Sequence, residues 1–300
     1  MFQYIRLIMF ALITCVCVLW VSNSFAMSIN SDVGLTPHKG EFIFRVQSRY
    51  TLKGDDPTSQ DRETRILAIP VVGVYGFTSK ASILVKVPFL DKELSSLNSP
   101  DRGDNGIGDI TVLGKYRVHT VNFKGGTSRL SLIGGLELPT GDDDESDSQG
   151  TLPASLQLGS GSVDVIAGGA YTYQTLSHEF DMDLRYIFNQ EANDFEFGDV
   201  FKYNFSFQKR IHPSVLPDEG IYSQWNALIE LNGSYSQHSE SSGSSVADSG
   251  GHTLFLSPGI QFVSQRAVVE ASVQLPVVQD LNGTQVETDY TLVLSFRYQF

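Results

Sequence analysis

Twelve ionisable residues recur where the alternation of a β-strand would turn them to a common side: Arg45, Arg49, Asp109, Lys115, Arg117, Glu137, Asp164, Asp183, Arg185, Glu230, Glu270 and Arg297. They carry both signs. Charges enclosed by strands cannot be left dry and alone, so such residues either pair across strands or line a wet path for a solute. The six histidines (His38, His119, His178, His212, His238 and His252) contain no pair with metal-ligand spacing. His252 and Ser257 invite comparison with a hydrolase, but an odd separation sends the two side chains to opposite faces of one strand. No GxSxG motif is present. The sequence therefore assigns no catalytic residue, no metal ligand and no cofactor. The acidic run Asp142–Asp147 resembles the opening of a calcium loop but lacks Gly at its sixth and Glu at its twelfth position. We read it as a solvated loop, with divalent-cation binding left open.

Placing these charges on one side takes strands, and the chain supplies them. At the C-terminus Tyr290, Leu292, Leu294, Phe296, Tyr298 and Phe300 alternate with Asp289, Thr291, Val293, Ser295, Arg297 and Gln299. Phe201, Tyr203, Phe205 and Phe207 alternate in the same way with Lys202, Asn204, Ser206 and Gln208. Residues near 41–50, 180–188 and 225–232 repeat the pattern, and 63–75, 81–90, 108–118, 127–138, 162–173, 252–262 and 267–277 follow it less regularly. Ten-residue segments of period-two hydrophobicity are the signature of a membrane barrel. The twelve segments make an even number, which returns both termini to the periplasm. Connections at 53–62, 91–107, 139–161 and 236–251 are long and polar, whereas those at 76–80, 174–178 and 263–266 are short. Ile211–Gly220 is long for a periplasmic turn. A secreted β-sandwich also alternates, but its inner face should be mainly aliphatic. Here aromatic residues crowd the strand ends (Tyr50, Tyr116, Tyr171, Tyr173, Tyr186, Phe188, Tyr235, Tyr298), as in interfacial girdles.

The fold expected is all-β: a transmembrane antiparallel up-and-down barrel of about twelve strands. Residues 1–26 read as a signal peptide, with Arg6, an apolar run from Leu7 to Val21, and Ser24 and Ala26 before the cleavage point. Residues 27–40 read as a periplasmic N-terminal segment, with entry into the lumen left open, and 41–300 as the barrel. Both cysteines, Cys15 and Cys17, lie in the leader, so the exported chain has neither disulfide nor thiolate metal site. Removing the leader takes away one positive charge and no acid, which moves the net charge from −13 to −14. That excludes nucleic acid as a partner, because its binding needs a basic surface.

Along the strands and at their ends lie Gly106-Ile107-Gly108-Asp109-Ile110, Gly114-Lys115-Tyr116-Arg117, Gly135-Leu136-Glu137-Leu138-Pro139-Thr140-Gly141 and Leu158-Gly159-Ser160-Gly161-Ser162-Val163-Asp164. Ser257-Pro258-Gly259-Ile260-Gln261 and Leu275 through Gly283 follow. In this order they resemble the outer-membrane family named for the meta-pathway of phenol degradation. The resemblance implies a transporter of aromatic or other hydrophobic compounds. The motifs themselves read as architectural. Leu138-Pro139 and Leu275-Pro276 should each end a strand, since proline cannot donate to a ladder, and Asn282-Gly283 should form a tight turn.

The function expected is passive passage of small solutes through the outer membrane of a Gram-negative bacterium, along the twelve charged residues named first. The partners expected are outer-membrane lipid and lipopolysaccharide, the barrel-assembly machinery at the strand ending in Phe300, and a small-molecule solute. A structural or surface-binding barrel with a plugged lumen is the alternative, and a lipid-modifying enzyme a more distant one.

Overall fold

The computed structural model describes residues 27–97, 99–215 and 223–300. The leader and part of the connection at 211–220 lie outside them. Twelve long strands follow in order: β1 (Phe42–Asp55), β2 (Glu63–Gly76), β3 (Ala81–Ser96), β4 (Ser99–Ile107 and Ile110–Phe123), β5 (Gly126–Leu138), β6 (Asp164–Thr175), β7 (His178–Phe188), β8 (Val200–His212), β9 (Gln224–Ser236), β10 (Gly251–Val263), β11 (Ala267–Leu281) and β12 (Glu287–Gln299). Each pairs antiparallel with the next, and β1 also pairs with β12 from Ile43↔Gln299 to Asp55↔Glu287, which closes the sheet into a barrel. At the seam the Phe300 amide donates to the Phe42 carbonyl at 2.9 Å.

The barrel is inside-out. Leu132, Leu294 and Val269 are each more than half exposed, whereas Glu230, Glu270, Asp181, Asp183 and Gln261 are almost fully buried. A continuous apolar exterior around a polar interior belongs in lipid. This is a membrane barrel. Aromatic pairs sit near its rims, with Tyr298 and Phe300 4.7 Å apart, Phe123 and Tyr173 stacked at 5.3 Å, and Tyr186 and Phe188 at 4.5 Å.

One rim carries the connections 56–62, 139–163, 189–199, 237–250 and 282–286; the other carries the tight turns 77–80, 124–125, 176–177 and 264–266. We call these the loop end and the turn end. Gly125 and Gly283 take positive φ in two of these connections, a conformation that costs glycine little. Two expectations are corrected here. The stretch 91–107 is mostly strand, since β3 and β4 pair out to Ser96↔Ser99 as a projecting hairpin. Leu275-Pro276 does not end β11, which continues to Leu281 because a register shift opposite Leu254 and Phe255 absorbs the proline. Leu138 does end β5.

Residues 27–40 differ from the expected periplasmic segment. Ser28, Ile29, Ser31, Val33, Leu35 and Thr36 are all buried, and bonds from the segment run to the inner faces of β1, β4–β7 and β9–β11. The segment lies across the lumen. Its polar side chains and free backbone groups find partners there that water would otherwise supply.

Candidate functional site

Residues directly opposite one another on neighbouring strands share a face. The register therefore carries the inner face round the barrel, and all twelve charged residues named from the sequence fall on it. They do not form one row. Glu270 is paired with Arg45 at 3.1 Å and with Arg297, and also accepts from Gln261 at 2.8 Å. Arg185 contacts Asp183 at 3.1 Å and Asp32 at 2.7 Å, and Lys115 pairs with Asp32 as well. Glu230 accepts from the backbone amides of Ile29 (3.1 Å) and Asn30 (2.9 Å) and from the Asn30 side chain (2.6 Å). Arg49 reaches Asn30 Oδ1 at 3.1 Å and Gln274 at 2.6 Å. Five of the twelve, Arg45, Arg49, Lys115, Arg185 and Glu230, thus bond to the N-terminal segment directly, and Asp183 and Glu270 reach it through one partner.

The segment is threaded by complementary bonds along its length. Arg45 donates to the Ile29 carbonyl at 2.6 Å. Gly34 is wedged between β5 and β6, donating to Thr172 and accepting from Ser131 at 2.7 Å. A Cβ there would meet the backbone of Arg129, Ala170 and Thr172, so only glycine fits. Burial alone would raise the Asp32 carboxyl, but Lys115 and Arg185 beside it hold it down at about 2. It is therefore a fixed negative charge between two lumen cations.

The rest of the inner wall was not legible from charge. Leu113, Ile133, Ile166 and Ala170 form a buried apolar cluster on β4–β6, joined by Leu84 and Ile187. Ile133 lies opposite Lys115 and Ile166 opposite Ile187, so these residues belong to the lumen face. On β2, Val72 and Val74 continue the strip, opposite Arg45 and Ile43. An apolar strip thus crosses the lumen face from β2 to β7, set among the charged residues Lys86, Lys115, Glu137 and Asp164 of the same strands. The sequence hid this because β2 and β3 are apolar on both faces, and period-two alternation disappears in a continuous apolar run.

At the loop end Asp109 gathers three of the sequence motifs. The register slips by one residue across Gly108–Asp109, turning the carboxylate inward. It accepts from the amides of Thr140 (3.0 Å), Gly141 (2.9 Å) and Ser160 (2.7 Å) and from the Ser160 hydroxyl (3.0 Å). Asp164 holds the same loop through the Ser162 hydroxyl at 2.7 Å, and Lys92 donates to the carbonyl of Gln157 at 2.5 Å. The loop 139–163 therefore folds back on the barrel mouth and buries Leu152, Leu156 and Leu158. Glu137 lies beneath it, accepting from Thr111 and 3.7 Å from Lys86. Arg117 lies away from this mouth, donating to the Ser79 carbonyl at the turn end. We expect Asp109→Ala to free the loop, seen as rapid cleavage within 142–157 by a protease that leaves the wild-type barrel intact. Equal cleavage of both would show that the carboxylate does not hold the loop.

The acidic run is drawn apart. Asp147 is forked by Arg102, and Asp143 accepts from Asn193 at 2.6 Å. His252 and Ser257 face opposite sides, as their spacing requires. His252 Nε2 meets the Tyr203 hydroxyl at 2.7 Å on the outer face, and Ser257 donates to Asn232 at 2.7 Å inside.

The fold has known counterparts, although no curated protein matches the chain by sequence. An outer membrane channel from Pseudomonas putida F1 is similar at a TM-score of 0.69 and 14% identity, over 91% of this chain and 100% of that one. The translocator domain of the autotransporter NalP from Neisseria meningitidis gives a TM-score of 0.45 at 11% identity, over 88% and 90% of the two chains. The CymD monoaromatic hydrocarbon channel gives 0.40 at 10% identity, over 88% and 89%. The first of these likenesses is one of fold. At the level of sequence, the three motifs that meet at Asp109 lie inside a stretch, residues 58–277, that a family model matches. That stretch is well over half of the chain, which therefore belongs to the family described as "Putative MetA-pathway of phenol degradation".

Proposed function

We propose that this protein is an outer-membrane channel for the passive passage of small, hydrophobic or aromatic solutes. The observation that carries the reading is the mixed lumen: an apolar strip on β2–β7 set among paired charges, with residues 27–40 held across it by hydrogen bonds, ion pairs and the packing of Ile29 on Leu228 and Val293. An apolar strip lowers the cost of bringing an aromatic ring through, while the charges around it keep the path wet. The resemblance in the family motifs, and the outer membrane channel of similar fold, support the same direction. On this reading Arg45, Arg49, Lys115, Asp183, Arg185, Glu230, Glu270 and Arg297 border the narrow part of the path, with Asp109, Glu137 and Asp164 at its mouth and Arg117 at its far rim. The turn end faces the periplasm, since long loops project outward in such barrels. Lipid and lipopolysaccharide cover the apolar exterior, and the assembly machinery takes up the strand that ends in exposed Phe300. The barrel is not an enzyme and uses no cofactor.

The test is uptake of a radiolabelled neutral aromatic compound by cells with and without the protein, alongside conductance in planar bilayers. Faster uptake with the protein present supports the channel. A second reading, a surface-binding barrel with a permanently plugged lumen, draws on the extent of the bonding around residues 27–40. Equal uptake and a silent bilayer would establish it instead.

A further inference from the structure

The lumen near the turn end holds several buried polar atoms that lack partners, Arg297 Nε and Nη1 among them. Glu179 Oε1, Ser206 Oγ and Gln208 Oε1 are buried and have no hydrogen-bond partner, and all three residues are at least nine-tenths buried. They are close neighbours: Glu179 lies opposite Gln208, and Asp181, one inward position further along β7, lies opposite Ser206. The Glu179 and Asp181 carboxyl groups face each other. Beside this carboxyl–carboxyl contact, Glu179 accepts from the Gln174 amide, and Asp181 from the hydroxyls of Ser28 and Thr172. Arg297 acts on Glu179 from across the lumen but is bound to Glu270. A cavity of about 40 Å³ opens beside them, lined by Glu179, Gln208, Arg210 and Asn226 among others. Turning over the Gln208 amide would pair it with Glu179, but would bring no positive charge to two adjacent carboxyls.

The N-terminal segment ends at this place. Ser28 is bonded to Asp181 at 2.5 Å, and the Met27 carbonyl accepts from Gln261, which in turn accepts from Asn226 on the cavity wall. The start of the segment therefore lies between Asp181 on β7 and Gln261 on β10, the strands that flank β8 with its Ser206 and Gln208 and β9 with its Asn226.

We propose that a new α-ammonium group at Met27 docks here as the counter-cation of Glu179 and Asp181. The proposal rests on reading residues 1–26 as a cleaved leader. A leader peptidase adds water across the Ala26–Met27 peptide bond, OH to the Ala26 carbonyl carbon and H to the Met27 nitrogen, and the amine takes up a proton. Its three N–H donors match the three orphan acceptors, and its charge offsets the carboxyl pair. Export then does more than remove an address: it makes the group that anchors the free end of the segment.

The experiment uses full-length protein purified from membranes. Intact mass first shows whether the chain begins at Met27; any other start overturns the processing reading by itself. The α-amine is then acylated near neutral pH, where it reacts ahead of lysine. We expect labelling of the folded barrel to be slower than that of the unfolded chain by roughly tenfold or more. Glu179→Gln combined with Asp181→Asn should remove most of that protection. A single glycine placed before Met27 should do the same by moving the ammonium about 3.8 Å, with every lumen side chain unchanged. Equal rates in folded and unfolded chains, or protection unaffected by the added glycine, would overturn the docking while leaving the channel reading intact.

Discussion

Deleting residues 28–36 is expected to raise single-channel conductance roughly tenfold, because the interior of a twelve-stranded barrel is narrow and the segment that crosses it constricts the path. The segment removed carries Ile29 and Asn30, which hold Glu230, and Asp32, which sits between Lys115 and Arg185. None of these residues belongs to a strand, so the wall keeps all its ladders. The deletion also uncovers two cations and one carboxylate, so ion selectivity should change along with the conductance. Planar-bilayer recording of the two proteins reads both. An unchanged conductance would mean that the passage lies elsewhere, or that the inward-folded loop 139–163 sets the limit at the other mouth.

Glu270→Ala should be the most damaging single substitution in the lumen. Glu270 is about 1% exposed and balances Arg45 and Arg297, the latter also buried. Removing the acid leaves two guanidinium groups facing each other with no counter-charge. Breaking a buried ion pair in this way costs about 3–5 kcal/mol. Arg45 also donates to the Ile29 carbonyl, so the loss should extend to the N-terminal segment. Urea unfolding in lipid vesicles measures the first effect and protease access to residues 27–36 the second. Glu270→Gln keeps an acceptor and should fall between. A loss below about 1 kcal/mol would place this triad with surface ion pairs, which contribute that little.

The strands whose two faces differ in polarity were the legible ones. β8 and β12 set aromatic residues against Lys202, Asn204, Ser295 and Arg297, and each of those polar residues faces the lumen. β2 concealed its inner face, since Ile66, Val72 and Val74 look no different from the lipid-facing Leu67, Val71 and Tyr75. Alternation also told which charges point inward, but not which ones meet. Glu270 and Arg45 are 225 positions apart and come together only because β12 lies between their strands. The N-terminal segment has no period at all, so nothing in its own residues announced that Asn30 and Asp32 would find partners inside. The architectural reading of the family motifs has a physical basis in Asp109, whose four bonds draw residues from two distant stretches to one strand end. Proline was a poorer guide, because a bulge let β11 run past Pro276.

The seam between β1 and β12 has a consequence for how such a chain is made. Arg45 and Ser295, bonded across it, are 250 positions apart. Until the last strand arrives, a growing sheet presents two unpaired edges and an uncovered apolar surface. Edges of that kind pair readily with other chains, and a topology whose decisive contact joins the two ends of the sequence assembles slowly. The fold therefore stays unsealed until β12 is in place, and one closing event joins the two ends of the sequence.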